Sequence, residues 1–167
     1  MTLGLHWRAM TTLDLPLVET IAAQVHPGFP EDLAVLAERQ RLYPSGARLL
    51  ELGGRPSGYI LSHPWQFKAL PALNSLLGAL PKAPSTYYLH DLALLPAARG
   101  TGAAGIVVRD LIAHAQRQHF ANMSLVAVNG SIPFWQKHGF AVVDAPELES
   151  KLMSYEGAAR FMVRLLV

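Results

Sequence analysis

Apolar positions along the chain change period several times, and each change marks an element. Leu5 to Met10 alternates, with Leu5, Trp7 and Ala9 on one face and His6, Arg8 and Met10 on the other, which predicts a first strand. After Thr11-Thr12-Leu13-Asp14, a turn able to cap a helix, Leu13, Leu17, Val18, Ile21, Ala22 and Val25 follow helical spacing. His26-Pro27-Gly28-Phe29-Pro30 breaks that helix. A second helical pattern runs from Glu31 to Leu42, with Leu33, Leu36 and Ala37 apolar, and stops at Pro44-Ser45-Gly46. Arg48–Leu52 and Ser57–Ser62 flank Gly53-Gly54-Arg55-Pro56, the signature of an antiparallel hairpin. His63 to Ser85 is irregular and carries Pro64, Pro71, Pro81 and Pro84, with a short helix expected over Ala72–Leu80. A loop this long inside a compact domain is often functional.

Tyr87 to Leu95 is nearly all apolar and reads as a central strand buried on both faces. Gly102 to Phe120 is a long amphipathic helix whose inward face is Ala104, Val107, Val108, Leu111, Ile112 and Ala115. Met123–Val128 reads as another buried strand, and Ile132–His138 as a short helix ended by Gly139. Phe140–Val143 and Arg160–Val167 are final strands separated by an Asp/Glu/Ser-containing connection. The expected class is α/β, one domain over residues 1–167, with a mixed, mostly antiparallel central sheet flanked by helices on both faces. An apolar C-terminal strand left at an edge would invite pairing with a second copy, so a homodimer is expected.

Composition narrows the function classes. Of 167 residues, 51% are hydrophobic and 16% charged, which argues for a folded core rather than disorder. No apolar run reaches membrane-spanning length, and the N-terminus lacks a basic start followed by an apolar block, so neither a membrane span nor a secretory signal is expected. The absence of cysteine excludes disulfides, thiolate metal sites and a Cys nucleophile, and agrees with a cytoplasmic protein. A formal charge of +2 with scattered Lys and Arg does not point to nucleic acid. His6, His114, His119 and His138 show no metal-ligand spacing, and Ser124 and Ser131 lack a nucleophile-elbow context.

The candidate chemistry centres on Pro96-Ala97-Ala98-Arg99-Gly100-Thr101-Gly102-Ala103-Ala104-Gly105, between the central strand and the long helix. Small side chains let a ligand approach the backbone, and the first amides of a helix are unpaired and partly positive. The stretch is therefore a cradle for a phosphate or pyrophosphate. No Gly-Lys-Ser/Thr follows, which argues against a nucleoside-triphosphate P-loop.

Arg99, Gly102 and Ala104 fit a motif of Gln or Arg, two residues, Gly, one residue, then Gly or Ala, and here the chain resembles the Gcn5-related N-acetyltransferase (GNAT) family. Asn129-Gly130-Ser131-Ile132-Pro133-Phe134-Trp135-Gln136-Lys137-His138-Gly139-Phe140 looks like a second block of that family. The resemblance implies acetyl-CoA as donor and an amine as acceptor, by direct transfer in a ternary complex, with no metal. It implies that Leu92, Ala93 and Leu94 pair with the pantetheine arm. Arg99, Gly100, Thr101, Gly102, Ala103 and Ala104 would hold the pyrophosphate, Thr101 adding its hydroxyl. Asn129 and Phe134 would line the cofactor between two splayed strands. The acceptor is expected to be a small-molecule amine rather than a protein.

Acetyl transfer needs a neutral amine, yet a lysine-like amine titrates near ~10.4, so a base must take its proton. His90 is the leading candidate, set against a buried His satisfied by a carbonyl. Asp91 alternates to the opposite face from His90 and could orient His26, a loop or the strand end. Tyr88 stands where protein-lysine members of the family carry a catalytic Glu, and it reads as a wall residue or an acid. His26 and Phe29 fall in a loop that often covers the acceptor in this family; His63, Trp65, Phe67 and Lys68 could also shape that pocket. Trp135 departs from the Tyr that many members carry to protonate the leaving thiolate, since indole has no useful acidity; Tyr155 or water could substitute. That departure leaves an acyl-CoA-binding sensor domain with little or no catalysis as the alternative. A dinucleotide-binding enzyme is a further rival, without the acid expected about 20 residues after such a turn.

Overall fold

The computed structural model describes residues 4–166. Val167, the last residue of the expected C-terminal strand, lies outside them, as do Met1, Thr2 and Leu3. Strands β1 (Leu5–Ala9), β2 (Ala47–Leu52), β3 (Arg55–Trp65), β4 (Thr86–Leu94), β5 (Asn122–Ala127), β6 (Ala141–Val142) and β7 (Arg160–Leu165) form one seven-stranded sheet in the order β1-β2-β3-β4-β5-β7-β6. Only β4 and β5 are parallel; every other neighbouring pair is antiparallel. The mixed, mostly antiparallel sheet matches the expected class.

Helices α1 (Leu15–Val25) and α2 (Leu33–Leu42) cover one face. Their Val18, Ile21 and Leu36 pack with Leu49, Tyr59, Leu61 and Ala93. Helix α3 (Ala103–Arg117) and the short α4 (Ile132–Lys137) cover the other. There Val107, Val108, Leu111 and Ile112 meet Ile60, Tyr87, Leu89, Met123 and Leu125, with Trp135 and Phe140 closing the cluster. Alternation on β4 divides the work: Tyr87 and Leu89 face α3, while Tyr88 packs with Leu70, Leu148 and Phe161 on the opposite side.

Several elements differ from the sequence expectation. Leu13 does not join the α1 stripe; it sits in a single 3-10 turn before the helix and is 87% exposed. Helix α2 starts at Leu33 with Asp32 extended at its N-cap, so Glu31 is freed from the helix. On α3 it is Ala103 that is fully buried and Ala104 only half-buried. The connection before β7 contains a short helix, α5 (Glu149–Met153). Strand β7 is paired on both sides, by β5 and by β6, so it is not the exposed edge that motivated a homodimer. Among the described residues no helix is long and apolar enough to cross a membrane.

The expected helix over Ala72–Leu80 does not form; residues 66–85 hold only turns and bends. Their backbone groups are claimed by side chains of α2 instead of by each other. The Glu38 carboxylate accepts from the Leu77 N–H (2.6 Å) and the Gly78 N–H (3.0 Å). Arg39, 1% exposed, pairs with Glu38 at 2.9 Å and donates to the Ser75 carbonyl at 3.1 Å. Asn74 Oδ1 accepts from the Asp32 N–H at 2.7 Å. The loop is thus clamped onto α2 through a buried ion pair whose two members also bond to loop backbone.

Breaking a buried pair by removing one partner leaves an uncompensated charge and costs about 3–5 kcal/mol. Glu38→Ala is expected to lower unfolding stability by that order in urea denaturation and to open residues 66–85 to limited proteolysis. An unchanged midpoint and cleavage pattern would show that something else holds the loop.

Candidate active site

The site arises where two strands part. β4 runs beside β5 only over Tyr87–Leu89 with Met123–Leu125, but stays on β3 as far as Leu94 opposite Gly58. From His90 to Leu94 the flank of β4 that faces β5 therefore has no strand neighbour. β5 remains on β7 up to Ala127. Then Asn129 (φ 54°) and Gly130 (φ 68°) turn the chain away through two left-handed residues, a conformation that Asn and Gly tolerate best. Between the lips lies a cleft of about 380 Å³ whose walls include Leu92, Arg99, Val126, Asn129, Ser131, Phe134 and Trp135. Of the predicted cofactor residues, Leu92, Arg99, Asn129 and Phe134 line it; Ala93 turns its methyl into the core behind.

The cradle stands beyond the end of β4. Gly100 (φ 75°) and Gly102 (φ 87°) are both left-handed, and a Cβ on either would meet nothing within 4 Å. The space before the first turn of α3 is thus open, and the amides of that turn have no intrahelical partner. One expectation is corrected: the Thr101 hydroxyl donates to the Ala98 carbonyl (2.6 Å) and accepts from the Ala103 N–H (3.2 Å), so it shapes the turn instead of offering itself to a ligand. Arg99 Nε donates to the Leu94 carbonyl at 3.3 Å, tying the turn to the end of β4. A backbone flank without a partner, a cleft and an open amide turn fit an extended ligand ending in a pyrophosphate.

A bulge sets the chemistry. Leu61 pairs with Asp91 and Ser62 with Leu89, which leaves His90 as an extra residue on β4. The predicted alternation, with Asp91 opposite His90, fails for this reason, and both side chains reach the same two cavities. His90 Nε2 lies 2.9 Å from Glu31 Oε1, and His26 Nε2 lies 2.8 Å from Asp91 Oδ1. Tyr59 donates its hydroxyl to Asp91, and Asn129 Nδ2 lies 3.2 Å from His26 Nδ1. Asp91 thus does orient His26, one of the roles expected for it.

The electrostatics follow from burial and pairing. Burial alone would lower the His26 pKa, but the Asp91 and Glu31 carboxylates outweigh it and raise the value above 6.5. Burial would raise Asp91, yet His26, His90 and the Tyr59 hydroxyl hold it below the usual carboxylate range. His63, buried 6.4 Å from His90 ring to ring, is pushed down to about 3 by burial, so it stays neutral. Burial pushes Tyr88 well above the ordinary phenol range and Tyr155 up to about 12, which makes both poor acids.

A smaller cavity of about 70 Å³ adjoins the cleft and shares His26, His90, Asp91, Val126 and Val128 with it. Its other walls are Phe29, Glu31, Pro71, Ala72, Leu73, Tyr88 and Tyr155. His26 and Phe29, expected to cover the acceptor, are both among its walls. His63, Trp65, Phe67 and Lys68 do not line it; the later loop residues Pro71–Leu73 do, and Tyr155 donates its hydroxyl to the Pro71 carbonyl. Trp135 is buried against Phe134 and Phe140. The sequence reading overlooked Glu31 by counting it as helix. Asp32 directly before Leu33 is the better cap signal and would have released it. Among the described residues no group of three or more His, Cys, Asp or Glu could hold a metal ion.

The sequence profile of the acetyltransferase (GNAT) family matches residues 12–140. No curated protein sequence matches the chain. Solved structures match in fold: Ard1 from Thermoplasma volcanium at 17% identity and TM-score 0.74, covering 98% of this chain and 99% of that one. The GphF GNAT-like decarboxylase in complex with isobutyryl-CoA matches at 18% and 0.79, covering 97% and 100%. The ribosomal-protein-S18-alanine N-acetyltransferase from Escherichia coli matches at 15% and 0.65, covering 97% and 94%.

The His26–Asp91 pair carries a signed pH dependence. A His whose folded pKa is raised contributes stability that is full below its unfolded value near 6.5 and lost as pH rises through the folded one. Asp91, lowered, contributes above the ordinary carboxylate value and loses its share as pH falls through the folded one. By NMR, His26 is expected to titrate above 6.5 in the native chain and lower than that native value in Asp91→Asn, where burial is opposed only by Glu31 and the Leu92 backbone. A His26 titration untouched by that substitution would contradict the pairing.

Proposed function

The chain belongs to the acetyltransferase (GNAT) family, and we propose that it moves an acetyl group from acetyl-CoA to a small-molecule amine while both are held in one complex. The observation that carries this reading is the meeting of two cavities, a long cleft and a small pocket, at His26, His90 and Asp91. Bound acetyl-CoA would supply a thioester whose carbonyl carbon accepts the amine. In this reading the free flank of β4 from His90 to Leu94 receives the pantetheine arm as a pseudo-strand. A backbone N–H near Leu94 faces the carbonyl oxygen, where charge develops. The turn from Arg99 to Ala104 and the first amides of α3 receive the pyrophosphate.

His90 is the proposed base. Ionised Glu31 only accepts hydrogen bonds, so its contact fixes the His90 proton on Nε2 and leaves the lone pair on Nδ1. As the nitrogen–carbon bond forms, the ammonium-like nitrogen gives its proton to that lone pair, and the carbon–sulfur bond then breaks. Protonated His90 can return the proton to the departing sulfur, so the reaction needs neither a Tyr at the Trp135 position nor the Tyr155 hydroxyl. Most of the rate gain comes from holding two reactants together. All these side chains come from one chain, so a second copy is not required to complete the site.

Thiol release measured over a panel of amines tests the proposal. His90→Ala is expected to lower kcat by about 10²–10⁴-fold with the KM for acetyl-CoA nearly unchanged. Gly102→Glu, which places bulk, negative charge and a strained left-handed residue in the cradle, is expected to abolish CoA binding by calorimetry. Tight CoA binding without turnover of any amine would favour the acyl-CoA sensor reading that the buried Trp135 raises.

A further inference from the structure

The small cavity has an unusual balance of charge. Its walls carry the carboxylates of Glu31 and Asp91 and no Lys or Arg. Asp91 is fully engaged, with His26 on one oxygen and the Tyr59 hydroxyl on the other. Glu31 is not. Its side chain is 8% exposed; Oε1 meets His90, while Oε2 is buried with no hydrogen-bond partner. A buried carboxylate oxygen without a partner is costly, and the group that relieves the cost must bring an N–H or O–H. Nothing within the chain does so, although Arg39 lies close enough for its charge to act on Glu31. Arg39 bonds Glu38 and the Ser75 carbonyl, its Nε makes no hydrogen bond to Glu31, and it does not line the cavity.

We infer that Glu31 Oε2 is the recognition point for the acceptor's amino group, and that the cavity selects compact primary amines with no carboxylate near the nitrogen. The inference rests on the transferase reading for its reaction, but not for its binding. An ammonium or amine would donate to Oε2, beside the His90 ring that the same carboxylate holds. The carbon chain would lie among Phe29, Pro71, Leu73, Tyr88 and Tyr155. A free α-carboxylate would enter a space already holding two carboxylates, with no Lys or Arg on its walls to receive it and with the His26 imidazole already held by Asp91. Free amino acids are therefore rejected by charge, not by size.

A matched series isolates that term: isopentylamine, leucine amide and leucine share one side chain and differ in what the α-carbon carries. Calorimetry with CoA present reads binding without turnover, and thiol release from acetyl-CoA reads transfer, with rates compared per neutral amine. Isopentylamine and leucine amide are expected to bind, with leucine at least 100-fold weaker. Glu31→Gln, which is isosteric, is expected to weaken isopentylamine at least tenfold and to shrink the gap between leucine amide and leucine at least tenfold. Glu31→Asp keeps the charge and is expected to preserve the gap. A merely structural role for Glu31 would lower all three affinities alike and leave the gap unchanged, which would overturn the assignment. So would equal binding of leucine and leucine amide by the native chain, or no binding of isopentylamine. Binding as expected with no acetyl transfer would sustain this assignment and sink the transferase reading alone.

Discussion

The site depends on one departure from regular pairing: β4 and β5 are the only parallel neighbours, and they separate after three residue pairs. A parallel pair must be joined by a crossover, here through α3, so the start of a helix necessarily lies near the end of β4. That places the amides of the α3 first turn beyond an open strand flank. Ligands of α/β sheets gather at such places, outside the carboxyl ends of strands, because the backbone there has polar groups to give and no neighbour to give them to. The left-handed Asn129–Gly130 pair maintains the separation by carrying the chain away from β4 at the other lip.

The second feature is the small chamber beside the cleft, built from two segments without regular structure. One is the short run from His26 to Glu31, which lays both a His and a Glu over the bulged part of β4. The other is the loop through Pro71–Leu73, which has no core of its own and borrows its rigidity from Glu38 and Arg39. The bulge joins these contributions: without the extra residue at His90, its ring and the Asp91 carboxylate would project to opposite faces of the sheet. Burial keeps His63 neutral, and carboxylates draw His26 toward the charged form.

How much of this could be read from residues alone follows the range of the forces involved. Helices and strands with strong local periodicity were legible from Leu15 to Leu42 and from Thr86 to Ala127, because one buried face imposes its period on the sequence. So was the turn from Pro96 to Gly105, since its glycines answer a backbone need at their own positions. Residues 72–80 were misread as helix because their competitors, Glu38 and Arg39, lie in another element, and local propensity does not register a distant acceptor. The bulge at His90 was equally invisible: the nearly all-apolar β4 sequence has no alternation for a bulge to break, and the extra residue is defined only by its pairing with β3. Glu31 was lost to a two-residue error in where α2 begins, an error that mattered because a residue just outside a helix points where the loop directs it.

His26 touches both lips at once, through Asp91 on β4 and Asn129 beyond β5. Where a ligand lying between the lips must displace this tie, the ligand-ready cleft is the fraction of molecules in which it is open. Apparent affinity is the intrinsic affinity scaled by that fraction, and any change that loosens the tie tightens binding without adding a contact. Protonation of His26 strengthens its contact with Asp91 but turns Nδ1 into a donor facing the Asn129 amide nitrogen, so acidity acts on the two halves of the tie in opposite senses.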